Sequence, residues 1–157
     1  MRAVFEQFNA AFARLDADAR KLLSLCPDEL LFESITDRNG EHAASFGECV
    51  IRSAAEVEQT FDGITTRLWD DPFEWTLPEK LSDKALITQY FDEVAATRVK
   101  GFGYFTDDSD LGRKIPAPDE FRSIGELLLR TISRSESQLG RAELLFRILT
   151  AKKPPRR

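Results

Sequence analysis

Polar side chains interrupt the apolar face of the last predicted helix, and their types and spacing could support binding chemistry. On a helical wheel, Thr131, Ser135 and Gln138 project to the side that Ile124 and Leu128 share. Buried polar groups need hydrogen-bond partners. The pattern therefore indicates an internal hydrogen-bond network, bound water or a ligand pocket.

Arg134 lies on the flank of this polar patch and makes the ligand alternative specific. A guanidinium at the edge of a low-dielectric groove needs a carboxylate or phosphate nearby, from the protein or from a small anion. We therefore hypothesise that Arg134, with the serine and glutamine of the patch, holds a small anion. Arg52 is a weaker candidate, because it lies away from the apolar stripe of its helix and has Glu48 and Glu56 as exposed partners.

Other side chains with catalytic potential lack the neighbours that catalysis requires. The only histidine, His42, lies in a predicted loop and is expected to be solvated. Neither Cys26 nor Cys49 has a histidine partner, and no serine has a nucleophile-elbow glycine pattern. Both thiols are expected to be reduced residues of the core.

A nine-residue pattern occurs twice and predicts the start of two helices. Ser45 and Ser123 are each followed three residues later by a glutamate, Glu48 and Glu126, ahead of an apolar run. This spacing is typical of a capping box, in which the hydroxyl and the carboxylate each accept a backbone N–H. An arginine follows each glutamate by four residues, in register for an exposed ion pair.

Apolar residues recur at steps of three and four along most of the chain, which predicts an all-α protein. The turn residues at 37–40 permit either a small hairpin or a plain loop. The connection at 70–78 is too long for a tight helical hairpin, so we predict a four-helix bundle with a long crossover between helices two and three. The four helices are predicted at about residues 4–25, 45–69, 82 or 83 to 102, and 123–149.

The length and net charge of the chain limit its domain organisation and the kinds of partner that it can bind. The 157 residues fit a single helical domain at 1–150, followed by a basic tail at 151–157 that is expected to be disordered. The net charge is −5 although the tail carries four positive charges, so the body is acidic and nucleic-acid binding is not expected. No apolar run has the length of a membrane span or the form of a secretion signal, which favours a cytoplasmic protein without membrane contact.

The chain resembles the DinB/YfiT-like four-helix bundles over nearly its whole length. The repeated pattern at 45–52 and 123–130 is similar to the family's S/T-[apolar]-G-E-x-L-x-H motif, and the second copy precedes the positions of H-x-x-x-H-x-G-Q. The opening helix, the PDELL segment at 27–31 and the connection at 107–118 also fall in the family's order. The resemblance implies a four-helix bundle.

In that family three histidines hold a divalent metal, commonly nickel or zinc. Carried over by position, the histidine of helix two falls on Arg52 and the pair of helix four falls on Arg134 and Gln138, while Gly140 matches the family glycine and Arg141 replaces its glutamine. A guanidinium has no available lone pair and keeps its charge. The resemblance thus implies a member without its metal site and without a cofactor.

Two classes of function follow from this resemblance. We favour a metal-free protein of unknown activity, with a small-anion or small-molecule pocket at the former metal site formed by Arg52, Thr131, Arg134, Ser135 and Gln138. The alternative is a divalent-metal-dependent enzyme, either a thiol-dependent transferase or a hydrolase. A homodimer is also expected, because three aromatic residues of the crossover are suited either to a subunit contact or to covering the end of the bundle. These are Trp69, Phe73 and Trp75.

Overall fold

The computed structural model describes residues 1–75 and 77–157, and within these it describes the side chains of all residues except 75, 77 and 78. The chain is mostly helical with little sheet, which confirms the all-α prediction. The elements are α1 (Ala3–Leu25), β1 (Ile35–Thr36), β2 (His42–Ala43), α2 (Phe46–Thr66), α3 (Pro72–Trp75), α4 (Leu77–Lys80), α5 (Lys84–Phe102), β3 (Lys114–Pro116), β4 (Phe121–Ser123) and α6 (Ile124–Thr150).

Three of the long helices, α2, α5 and α6, begin next to predicted cap residues because local caps fix their starts. Ser45 and Glu48 form the complete capping box of α2. The backbone N–H of Ser45 donates to the Glu48 carboxylate at 2.9 Å, and the backbone N–H of Glu48 donates to the Ser45 hydroxyl at 3.3 Å. Ser123 caps α6 by accepting from the backbone N–H of Glu126 at 3.2 Å. The second half of that box was predicted wrongly, because the Glu126 carboxylate accepts from the Arg122 guanidinium instead.

The first helix obtains its cap from a distant part of the chain. The residue at its N-cap position, Arg2, makes no capping hydrogen bond through its side chain. The Asp108 carboxylate accepts from the backbone N–H groups of Val4 and Phe5, each at 3.0 Å. Two N–H groups in the first turn of α1, which have no partner within the helix, are thereby satisfied by a carboxylate from the segment that follows α5.

Replacing Asp108 with alanine should lower the free energy of unfolding by about 1–2 kcal/mol, because two helix N–H groups lose their carboxylate. Urea denaturation followed by circular dichroism measures this. The matched control is Asp70→Ala, at an exposed aspartate in another connection, which should change stability by less than about 0.5 kcal/mol. Equal losses in the two variants would show that Asp108 does not support α1.

A cluster of phenylalanine rings joins three long helices. The rings of Phe61 from α2 and Phe102 from α5 lie 5.0 Å apart, centroid to centroid. From α1, Phe12 meets Phe61 edge-on at 5.5 Å, and Phe5 stacks on Phe105 at 4.4 Å. Because each of these rings is buried, the cluster fixes α1, α2 and α5 against one another.

Two short antiparallel hairpins stand at the entrances of α2 and α6. The first, β1 with β2, turns at 37–40, where Gly40 adopts a positive φ of 78°, so the hairpin and not the plain loop is present. The second hairpin, β3 with β4, was not predicted; it pairs Lys114 with Ser123 and Ile115 with Arg122. It runs directly into α6 and forms one wall of the cleft described below.

The C-terminal segment after α6 folds back beside the helix. Arg157 lies 2.7 Å from a Glu136 oxygen and 3.9 Å from an Asp18 oxygen, and it also contacts the Glu143 carboxylate. These contacts link the last residue of the sequence to α1 and α6. Among the described residues, no helix combines the length and apolarity that crossing a membrane requires.

Candidate functional site

A cleft of about 290 Å³ lies between α2, α6 and the second hairpin. We call it the arginine cleft, because Arg122, Arg130 and Arg134 all line it. Gln59 contributes from α2 and Trp69 from the segment that follows this helix. The three guanidinium groups come from one hairpin and one helix, so the entry of β4 into α6 positions them together.

Two threonine hydroxyls form a hydrogen-bonded pair where α2 meets α6 at the cleft. Thr60 Oγ1 and Thr131 Oγ1 are 2.6 Å apart, and both residues are buried. Because the Thr131 hydroxyl donates to the carbonyl of Leu127 at 2.8 Å, it accepts from Thr60. The predicted polar patch is therefore satisfied internally at this point, and the pair joins the two helices.

Arg122 serves the structure of the hairpin. Its side chain is only 13% exposed and lies 2.7 Å from oxygens of both Asp119 and Glu120, in addition to its contact with Glu126. Hydrogen bonds from Arg122 hold the pKa of the exposed Asp119 carboxyl below its usual range, at about 2. The charge of Arg122 is thus matched within the protein.

Arg130 and Arg134 are held much more loosely. The Arg130 guanidinium is 3.9 Å from a Glu126 oxygen, and that of Arg134 is 3.6 Å from a Glu56 oxygen. Both distances exceed that of a hydrogen bond. The Arg134 guanidinium still interacts with the Glu56 carboxylate and acts to lower its pKa, but the Arg130 and Arg134 side chains are 38% and 55% exposed. Their N–H groups are available to a ligand.

Glu56 and Arg52 lie outside the lining of the cleft, in a small adjoining pocket that they share with Gln59. Burial raises the pKa of the Glu56 carboxyl, while the positive charges of Arg134 and Arg52 act against this rise. The predicted ion pairs of Arg52 with its neighbouring glutamates do not form in the described part of the chain. Instead the Arg52 guanidinium lies over the Phe73 ring, 3.7 Å from its centroid.

Trp69 forms a rigid aromatic wall of the arginine cleft. Its indole N–H donates to the carbonyl of Pro116 at 3.2 Å, and its own carbonyl accepts from Gln59 at 2.8 Å. One face of the indole packs against Gly63, where an added Cβ would lie 2.3–2.5 Å from three ring carbons. Since real Cβ atoms do not approach rings so closely, glycine is the residue that allows the indole to lie flat on α2.

The structure brings together some of the predicted site residues and separates the others. Thr131 and Arg134 line the cleft. Ser135 is fully buried and donates to the carbonyl of Ser53 at 2.8 Å, so its hydroxyl is used internally. Gln138 lies outside the cleft, and its buried Oε1 atom has no hydrogen-bond partner among the described residues.

Sequence reasoning gave two of the cleft residues, Arg130 and Trp69, other roles and missed others, among them Gln59 and Arg122. Arg130 was interpreted as half of an exposed ion pair, although its spacing of four residues from Arg134 places both on one helix face. Trp69 was predicted as a subunit or bundle-end contact, and Gln59 left no signal, because the place of both in the cleft depends on how the chain returns after α2. Trp69 and Phe73 both pack partly buried against the core; the side chain of Trp75, the third aromatic predicted as a subunit or end contact, lies outside the described residues.

Other groups with chemical potential lie apart from this cleft. Burial raises the pKa of the Cys26 thiol to about 11, and burial also raises the pKa of the Cys49 thiol. His42 is exposed and lies 2.6 Å from the Ser34 hydroxyl and 3.8 Å from a Glu48 oxygen. Throughout the described ranges, no three histidine, cysteine, aspartate or glutamate side chains group as metal ligands.

Comparison with family models, curated proteins and solved structures returned no match to this chain. The geometry of the cleft therefore has to carry the functional argument.

Proposed function

We propose that this chain is a metal-free DinB/YfiT-like protein that binds a small anion in the arginine cleft. The observation that carries the proposal is the position of Arg130 and Arg134 on one face of α6, where both side chains are more than a third exposed and the nearest carboxylate oxygens lie 3.9 and 3.6 Å away. A carboxylate or phosphate placed between two guanidinium groups receives charge-assisted hydrogen bonds, which are among the strongest in proteins. Activity beyond binding is left unassigned.

The residues at the positions of the family's histidines support an anion site better than a cation site. Of the three positions where the resemblance implies histidines, Arg52 and Arg134 have guanidinium groups, which cannot ligate a metal. Both positive charges act on the carboxylate of Glu56. This donor set does not fit a divalent cation, so we derive no reaction step through one.

The proposed arrangement of helices is the four-helix bundle with a long crossover between its second and third helices. Four helices of 19–27 residues support it. The crossover corresponds to residues 67–83, between α2 and α5. In such a bundle, ligand sites form between facing helices, which is where the arginine cleft lies.

Arg134→Ala should weaken the binding of inorganic phosphate by about tenfold or more, because one charge-assisted pair of hydrogen bonds is lost. Isothermal titration calorimetry measures the affinity directly, and the rise of the melting temperature with phosphate provides a second readout. Arg130→Ala is expected to act in the same direction.

The matched control is Arg141→Ala, at an exposed arginine of the same helix that does not line the cleft. Phosphate affinity should stay within about twofold of the original protein. The proposal is wrong if Arg134→Ala and Arg141→Ala bind phosphate equally, or if the unaltered protein binds no phosphate at millimolar concentration.

A further inference from the structure

The arginine cleft has an apolar half that a bare anion would leave in contact with water. Trp69, Leu127, Ala117 and Pro118 line it alongside the arginines. Ligand sites generally combine such apolar walls with a few polar groups that fix orientation. A ligand that satisfies both halves of this cleft carries an anionic group on an apolar body.

The shape of the apolar half favours a flat body. The Trp69 indole is fixed on one face by Gly63 and at its edge by the hydrogen bond to the Pro116 carbonyl. A fixed ring offers a planar surface whose orientation does not have to be ordered upon binding. Aromatic rings stack on such surfaces with an energy beyond the burial of area alone.

The volume of the cleft limits the size of the body. An apolar cavity of roughly 150 Å³ holds one benzene molecule, so about 290 Å³ has room for one aromatic ring and a small anionic group. A single aromatic ring with one carboxylate or phosphate group has this size. A dinucleotide or a long acyl chain exceeds it.

We propose that the arginine cleft binds a single-ring aromatic anion, with the ring stacked on Trp69 and the carboxylate or phosphate bound by Arg130 and Arg134. This inference rests on the proposed function, because it requires the anion site. It adds the class of ligand, and it predicts that affinity depends on the aromatic body as well as on the charge.

Two pairs of probes separate the contribution of the ring from that of the charge: benzoate against acetate, and phenyl phosphate against inorganic phosphate. In each pair the aromatic member should bind at least about tenfold more tightly. The difference between the two pairs identifies the preferred anionic group. Fluorescence gives a local readout, because Trp75→Phe leaves Trp69 as the only tryptophan of the chain.

Trp69→Leu should reduce the ratio of affinities within each pair to near one, since a leucine offers no planar face. Trp69→Phe keeps an aromatic ring against Gly63, so part of the preference for the aromatic probe should remain. Circular dichroism checks the folding of both variants, and if Trp69→Leu does not fold, the probe pairs on the unaltered protein and Trp69→Phe decide the question.

The outcomes distinguish this inference from the proposed function. If phosphate binds and phenyl phosphate binds no better, the aromatic ligand class is overturned while the anion site stands. An aromatic preference that persists unchanged in a folded Trp69→Leu variant places the ring elsewhere and also overturns it. If none of the four probes binds, both proposals fail.

Discussion

Replacing Phe102 with alanine is expected to lower the free energy of unfolding by about 3–5 kcal/mol. Its ring is 3% exposed and lies within 5.0–6.2 Å, centroid to centroid, of the rings of Phe5, Phe12, Phe61 and Phe105. Truncation to alanine loses the free energy gained by burying the ring. It also leaves a cavity that the four surrounding rings, from α1, α2 and the segment after α5, cannot easily fill. A loss of this size is a large share of the stability of a domain.

Denaturation in guanidinium chloride, monitored by circular dichroism, measures this loss in the free energy of unfolding. Phe121→Ala is the matched control, because Phe121 lies on the short strand β4 with 66% of its surface exposed. The control should change the free energy of unfolding by less than about 1 kcal/mol. A loss below about 1.5 kcal/mol for Phe102→Ala would mean that the phenylalanine cluster does not hold the helices together.

The starts of α2, α5 and α6 could be predicted because their caps are local. A cap and its partner lie three residues apart, as in Ser45 and Glu48, and the apolar stripe repeats within each helix. The end of α2 was less predictable. Apolar spacing continues to Trp69, but the helix ends at Thr66, where Arg67 adopts a left-handed conformation with φ of 64°.

Features that join distant segments left no readable pattern. The strands β3 and β4 have three residues each, which is too short for a period of two to be distinguished from chance. Their position depends on the buried Ile115 and on the ion pairs of Arg122. The cap that Asp108 provides to Val4 spans 104 positions of sequence, so no local rule reveals it.

In the candidate site, too, the features that depend on one helix could be predicted, and those that depend on contacts between segments could not. A helical wheel put Thr131 on the apolar side of α6 and Arg134 on its flank, and both residues line the cleft, because these positions depend on the helix alone. It could not show that Ser135 bonds to the Ser53 carbonyl, since that depends on the register of α2 against α6. The aromatic wall at Trp69 depends on a glycine six residues earlier, whose role appears only when the chain has turned back.

Gly63→Val is expected to lower the free energy of unfolding by about 3 kcal/mol and to weaken ligand binding in the arginine cleft. The first added carbon would already lie 2.3 Å from a carbon of the Trp69 indole. Either the helix moves away from the ring, which strains its packing, or the indole leaves α2 and loses its buried face. Both responses also disturb the hydrogen bond from the indole to the Pro116 carbonyl.

Gly140→Val provides the matched control, since Gly140 lies inside α6 and no atom is within 4 Å of an added Cβ. Valine and glycine differ little in helix propensity, so stability should change by less than about 0.5 kcal/mol. Denaturation of the two variants therefore isolates the contact with Trp69 from the general effect of placing a branched residue in a helix. Equal stability of the variants would show that the indole does not lie on Gly63. In that case the cleft would lack its fixed aromatic wall, and the preference for an aromatic anion would lose its structural basis while Arg130 and Arg134 kept theirs.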